Sequence, residues 1–489
     1  MRIDWNRVQA AHRVGKIRDG EVHGFPSLNL RFSVPLRHTH KDRSKAESIE
    51  LQAQLVCDTR PAIPSYGSAD KSWELGLSSK DRVIVYLCGG PGDKNPAGAN
   101  PDLNRILLQR WKHPILFLDY RGTGGSSPVN ANTMNGKSDG ADYLTWFRQD
   151  SIVADLEAIR LSLNGVRFML VGQSFGGWIA MTYLSFLPGG LDAVYLTGGM
   201  PPVGKTPKDV YTALYQRLVQ VNQKYYAAFP EDTARVKEIV KWLGSRATGI
   251  SLSDGQVLSA QGFLTMGRHF GRGEEGFQKV HSLVGDFARD LSTSGSVSKE
   301  SLTRFAKEGG AGFKLPERPL YAVLHEAIYC SGQMKAAPGW AAHSVGREQA
   351  SNNFAWLQTN FNFANLSTKF DTSGPLYFSG EMIHDFMLRD AGNKLAPFVK
   401  PADELAKKAD WSELYDKEKL SGNEVPVAAL IYPEDMFLDF GFCKEAADMV
   451  GNLKYAVSPS DWIHASIKTK PKEVCDVLFD LQSPRSSHG

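Results

Sequence analysis

Val171-Gly172-Gln173-Ser174-Phe175-Gly176-Gly177 is the stretch on which the fold turns. It holds the pattern G-x-S-x-G between the apolar run Phe168–Val171 and a helical stretch that begins near Trp178. A serine in that setting sits on a tight, strained strand-to-helix turn that lifts its hydroxyl above a sheet. Small residues two positions to either side of Ser174 let the backbone turn without side-chain collision. The pattern alone also arises by chance in large proteins, and the strand-to-helix setting separates the two cases. The amide N–H of Phe175, at the helix start, can donate to a developing oxyanion.

Working outward, Val83–Leu87, Ile115–Leu118 and Ala193–Leu196 are further short apolar runs that end at glycine or turn residues. They read as buried parallel strands. Between them, Ser151–Leu163 places Ile152, Leu156, Ile159 and Leu163 on one helical face, with Asp150 in position to cap it. Upstream, Leu28–Val34 and Ile49–Val56 alternate like strands within residues 1–80. After Met200-Pro201-Pro202 amphipathic helix dominates, as in Val210–Tyr226 and Thr233–Leu243. Strand patterns return at Val425–Tyr432 and Leu453–Val457, before a last helical stretch, Pro471–Leu481. The pattern predicts an α/β protein with the α/β-hydrolase fold: a mostly parallel sheet formed by residues 1–200 and 421–489, with residues 201–420 inserted as a helical cap.

Composition narrows the function classes. Of 489 residues, 42% are apolar and 22% charged, as in a folded globular protein. Lys plus Arg number 56 against 53 Asp plus Glu, a net charge of +3 with no long run of one sign, so nucleic acid is not an expected partner. Mean hydropathy is −0.29 and no stretch approaches the roughly 18 apolar residues of a membrane span. The N-terminal residues lack the apolar core of a secretory signal, and the C-terminal residues end in no lipidation box. Five widely spaced cysteines (Cys57, Cys88, Cys330, Cys443 and Cys475) form no CxxC pair, which disfavours a disulfide framework or a zinc ribbon. Reduced thiols in a cytoplasmic enzyme are expected, with no metal and no organic cofactor.

The glycine-rich bend Cys88-Gly89-Gly90-Pro91-Gly92 directly follows a predicted strand and can aim an N–H of Gly89 or Gly90 at the same oxyanion. It is not a phosphate loop, because no G-K-[ST] follows and Asp93 would repel phosphate. A serine nucleophile also needs a base and an acid to orient that base, in chain order Ser, acid, His. Asp435, after the strand pattern at Val425–Ile431, stands where the acid belongs, with Glu434 as its competitor. His464, after Leu453–Val457, stands where the base belongs, and only His488 near the C-terminus rivals it.

Several ordered blocks now match a known family. Gly89-Gly90-Pro91-Gly92, Asp119-Tyr120-Arg121-Gly122, Asp150-Ser151-Ile152-Val153-Ala154-Asp155, Gly172–Gly177 and Thr197-Gly198-Gly199-Met200-Pro201-Pro202 resemble those of the proline iminopeptidases, α/β-hydrolase serine peptidases that remove an N-terminal proline. Leu324-His325-Glu326-Ala327, Trp340-Ala341-Ala342 and Ser379-Gly380-Glu381-Met382 are similar to blocks in the helical cap of the family's longer members. The resemblance implies Ser174 as nucleophile, Asp435 as acid, His464 as base, and cap glutamates, Glu326 and Glu381, that bind the substrate's free amino group. Three positions depart from the family pattern: Cys88 replaces a usual His or Gln, Tyr120 a Gln, and Ala465 follows His464 in place of the E-H-x-G block. All three are expected at the substrate site, so they bear on proline specificity rather than on hydrolysis. The expected activity is release of N-terminal proline, or a similar small residue, through an acyl-enzyme. The alternative is an amidase, esterase or thioesterase of the same fold acting on a specialised metabolite. A silent binding scaffold is disfavoured, because every triad position holds a competent residue. The expected partner is a small peptide or a small-molecule amide or ester, with no membrane involved.

Overall fold

In the computed structural model, which describes residues 3–39, 47–59, 75–94, 97–309, 315–349, 353–367 and 371–483, the apolar runs become the middle of one ten-stranded sheet. Its strands in chain order are β1 (His12–Arg13), β2 (Arg18–Val22), β3 (Phe25–Pro35), β4 (Ser48–Val56), β5 (Arg82–Leu87), β6 (Ile115–Leu118), β7 (Arg167–Gln173), β8 (Leu191–Thr197), β9 (Val427–Ile431) and β10 (Leu453–Val457). They lie in the order β1-β3-β4-β6-β5-β7-β8-β9-β10, with β2 paired to β3. Pairings from β1 to β6 through β3 and β4 are antiparallel, and those from β6 to β10 are parallel. Every residue of β6 and β9 is buried, because a parallel sheet covered on both faces has no solvent side to alternate toward. β3 and β4 keep the alternation of a sheet with one wet face.

Helix α1 (Gln149–Ser162) is buried for most of its length, as is α2 (Phe175–Phe186), which leaves the end of β7. Asp150 does not cap α1. The helix begins at Gln149 after Arg148, and the Asp150 carboxylate pairs with Arg148 and accepts from the Ser412 hydroxyl instead. Between β8 and β9 the described residues add no strand to the main sheet. They form helices, among them α3 (Pro207–Ala228), α4 (Asp232–Gly244) and α5 (Glu274–Ser294). A reciprocal pair of bonds between Thr206 and Asp209 closes the start of α3. A two-stranded ribbon, Ile250–Ser251 with Val257–Leu258, also lies here and was not legible in the sequence. No helix among the described residues is long and apolar enough to cross a membrane.

The intervening helical block is joined to the sheet side through Arg148, which is buried. Its guanidinium donates to the carbonyls of Ala327 (3.1 Å), Cys330 (2.7 Å) and Ser412 (3.2 Å), and Gln149 donates to that of Ile328 (3.2 Å). Arg148→Met strands three carbonyls and the Asp150 charge away from water. Urea unfolding is expected to show a loss of about 3–5 kcal/mol for this variant.

Candidate active site

Ser174 has φ of 54° and ψ of −127°, a conformation that costs a side-chain-bearing residue about 1–3 kcal/mol. Close backbone approach imposes it. A Cβ on Gly176 would lie 2.0 Å from the carbonyl oxygen of Leu87, and one on Gly177 would lie 1.8 Å from that of Gly199. The Ser174 N–H donates to the carbonyl of Thr197 (3.3 Å), and its own carbonyl accepts from Gly177 (2.7 Å). Phe175 opens α2, so its N–H falls outside the helical hydrogen-bond ladder. Gly89 packs against the serine: a Cβ there would sit 3.2 Å from the Ser174 Cβ. Gly89 and Gly90 both border the cavity that contains Ser174.

That cavity has a volume of about 230 Å³ and also contains His464. The His464 Nδ1 lies 2.8 Å from an Asp435 oxygen, with side chains only 8% and 2% exposed. A carboxylate can only accept, so Nδ1 carries the proton and Nε2 is left as the basic nitrogen. The other Asp435 oxygen accepts from the amides of Phe437 (2.8 Å) and Leu438 (3.2 Å), which fixes the carboxylate. Burial alone would lower the His464 pKa. The charge and hydrogen bond of Asp435 outweigh it and hold the imidazole above its ordinary value. Glu434, the competing carboxylate, instead pairs with Arg217 (2.6 Å) and Lys224 (2.9 Å) on α3. His488 lies outside the described residues.

Of the two glutamates, the structure brings one to this cavity. Glu381 borders it and accepts from the Tyr321 hydroxyl (2.5 Å) and twice from Arg268 (3.0 and 3.2 Å). Burial would raise its carboxyl, but the nearby His325 imidazole (3.9 Å), the charge of Arg268 and the Tyr321 bond together hold it well below the usual range. Glu326 is elsewhere: its carboxylate accepts from the Ala341 amide, at the start of α6 (Ala341–Gln349). It borders a void of about 10 Å³ and not the Ser174 cavity. Burial pushes its carboxyl up to about 7. Sequence reasoning missed Arg268, and also Arg318 with its ion-pair partner Asp93, all of which border the cavity. Only Asp93 had a signal, its place directly after the glycine-rich bend. Two of the three departures prove to lie behind the site. Cys88 and Tyr120 are buried, the Tyr120 hydroxyl donates to the Cys88 carbonyl (3.2 Å), and neither borders the cavity. Ala465 does border it. Among the described residues, Glu231, Asp232 and His281 are spaced as metal ligands would be, but Asp232 is already engaged by Tyr225 (2.5 Å) and Arg235 (3.1 Å).

Residues 82–246 match the family described as alpha/beta hydrolase fold. A proline iminopeptidase of Aeromonas sobria is 32% identical over 461 residues, which is 92% of this chain and 95% of that relative. The chain belongs to the proline iminopeptidase family. A second family member, from Aspergillus aculeatus, is 31% identical over 467 residues, covering 93% of each chain. A Neisseria gonorrhoeae proline iminopeptidase aligns over 126 residues only, at 28% identity, covering 26% of this chain and 35% of its own. The likeness to the first two spans nearly all of both chains, including the long helical stretch between β8 and β9. As a family member the protein is a hydrolase with the α/β-hydrolase fold.

The placement of Glu326 has a measurable consequence. Its folded pKa of about 7 lies above the ordinary 4.5, so the fold favours the protonated form. Its contribution is therefore fully present below pH 4.5 and is lost as pH rises through 7. Glu326→Gln keeps an oxygen for the Ala341 amide without the charge. Urea unfolding at pH 4.5, 6 and 8 is expected to show the variant gaining on the wild type as pH rises, by roughly 3 kcal/mol at pH 8.

Proposed function

We propose that the protein is a prolyl aminopeptidase in which Ser174, His464 and Asp435 form the catalytic triad. The observation that carries this reading is one cavity that holds Ser174 on its strained turn, His464 braced by Asp435, and the ionised carboxylate Glu381. In this reading residues 1–200 and 421–489 are the catalytic core, and residues 201–420 are a cap that supplies Glu381. Glu381 receives the protonated amine of an N-terminal proline, and a partly buried carboxylate favours that charged group over a blocked terminus. Ser174 Oγ attacks the proline carbonyl carbon while His464 Nε2 takes the hydroxyl proton. The amides of Phe175 and of Gly89 or Gly90 stabilise the oxyanion. His464 then protonates the leaving amine as the C–N bond breaks, leaving a prolyl ester on Ser174. Water, deprotonated by His464, releases proline by the same route.

A cavity of about 230 Å³ suits a small terminal residue and little more. Five cysteines, all buried and unpaired, fit a reducing compartment, and a cytoplasmic location belongs to this reading. The second reading, a metabolite amidase, esterase or thioesterase, draws on Ala465 at the cavity edge, where the family pattern is altered.

Initial rates on proline, alanine and N-acetylproline anilides and on a short-chain ester separate the two readings. Fast proline release, reduced about 100-fold or more by acetylation and abolished in Ser174→Ala, is the expected result. Glu381→Gln is expected to raise KM for the proline anilide more than it lowers kcat. Ester turnover that depends on Ser174, with no aminopeptidase activity, would overturn the proline assignment. The reaction needs neutral His464, whose pKa is raised, so the acidic limb of kcat/KM is expected above about pH 6.5. Asp435→Asn should move that limb down and cut kcat by about 10,000-fold.

A further inference from the structure

A second cavity, of about 780 Å³, lies between the sheet side and the helical block. That volume is within the roughly 300–1,000 Å³ of small-molecule sites. Much of its wall is apolar, with Trp178, Ile328, Tyr329, Met334, Ala337 and Pro338 among its residues. Four lysines border it, Lys205, Lys208, Lys335 and Lys417, and no aspartate or glutamate does. Lys205 and Lys208 are neutralised from outside it by Glu445 (2.6 Å) and Glu348 (2.7 Å). Among the described residues, Lys335 and Lys417 have no carboxylate partner. The Lys417 ammonium stands against Gly204 at the wall, where an added Cβ would meet it at 2.5 Å. The ammoniums of Lys335 and Lys417 are thus the charges at its wall that no carboxylate offsets. A matching ligand therefore has an apolar body and an anionic, accepting head.

We propose that this cavity binds an amphipathic monocarboxylate, with its apolar body on Trp178 and Tyr329 and its carboxylate at Lys335 and Lys417. The site is distinct from the Ser174 cavity: Ser174 does not border it, and neither Trp178 nor Tyr329 borders the other. It does not depend on what Ser174 does. It is nevertheless adjacent, since Trp178 follows Ser174 by four residues and lies in the first turn of α2. A free fatty acid and the C-terminus of an apolar peptide both supply this chemistry.

Calorimetric titration of the full chain carrying Ser174→Ala, which keeps probes from reacting at that serine, tests the assignment. The probes are octanoate, octanol, octylamine, and N-acetyl-Leu-Leu as acid and as amide. Octanoate or the peptide acid is expected to bind once per chain, at least about tenfold tighter than its uncharged counterpart, with octylamine weaker still. Octanoate stronger than the peptide acid identifies the fatty-acid source, and the reverse order the peptide source. Lys335→Glu combined with Lys417→Glu should weaken the bound acid at least about tenfold. Both side chains are exposed, so the double variant is expected to fold. Ala337→Trp, which narrows the cavity, should weaken binding at unchanged Tm. Absence of saturable binding by either acid, equal binding of acid and neutral counterpart, or binding untouched by the double lysine change would each overturn the proposal.

Discussion

Two glycine backbones pressed against two carbonyl oxygens govern this molecule. Gly176 and Gly177, in the first turn of α2, lie so close to Leu87 and Gly199 that no side chain fits at either position. That contact draws together the end of β5, the start of α2 and the segment after β8. It also gives Ser174 the positive φ that it would not adopt alone. Gly89, two residues beyond Leu87, is carried to the serine side chain by the same approach. The turn at Ser174 and the glycine-rich bend are thus one packing solution, and the strain at Ser174 is held by the burial around it.

The placement of Asp435 and His464 follows from strand order. β8, β9 and β10 are consecutive and parallel, so the loops that leave the last two open on the same edge as the turn at Ser174. Asp435 and His464, 29 residues apart, meet there. The cavity around them is not simply acidic. Glu381 is paired with Arg268 and Asp93 with Arg318, and Arg272 and Lys468 also border it, so cations stand beside each of these carboxylates. On the proposed reading, an incoming ammonium shares Glu381 with the Arg268 guanidinium, so selectivity for amines rests on geometry as much as on net charge.

The central strands were readable because burial on both faces leaves unbroken apolar runs, and the G-x-S-x-G turn was readable because its setting is local. The pairing of Asp435 with His464 was readable from chain order and strand context. What stayed hidden depends on partners distant in sequence. Glu434 and Asp435 are neighbours of like chemistry, and only Arg217 and Lys224, more than 200 residues earlier, turn the first one outward. Glu326 and Glu381 both looked like amine-binding carboxylates, yet one is committed to the Ala341 amide. Cys88 and Tyr120 stand in motif blocks beside the site, but the direction in which each points is set by burial that no local pattern records. Asp150 looked like a helix cap until a buried arginine beside it claimed the carboxylate.

Arg148 also sets how the two parts of the molecule respond to their surroundings. All of its partners in the helical block are neutral: three carbonyls and the Ser412 hydroxyl. Its counter-charge, Asp150, lies two residues away on its own side of the seam. Dissolved ions screen exposed charge pairs over a Debye length of about 3–10 Å between 1 M and 0.1 M ionic strength, but act far less on groups buried from water. The Arg148 contact therefore holds nearly equally in dilute buffer and in concentrated brine, whereas the exposed pairs across the same seam, Lys224 with Glu434 and Lys205 with Glu445, loosen as salt rises.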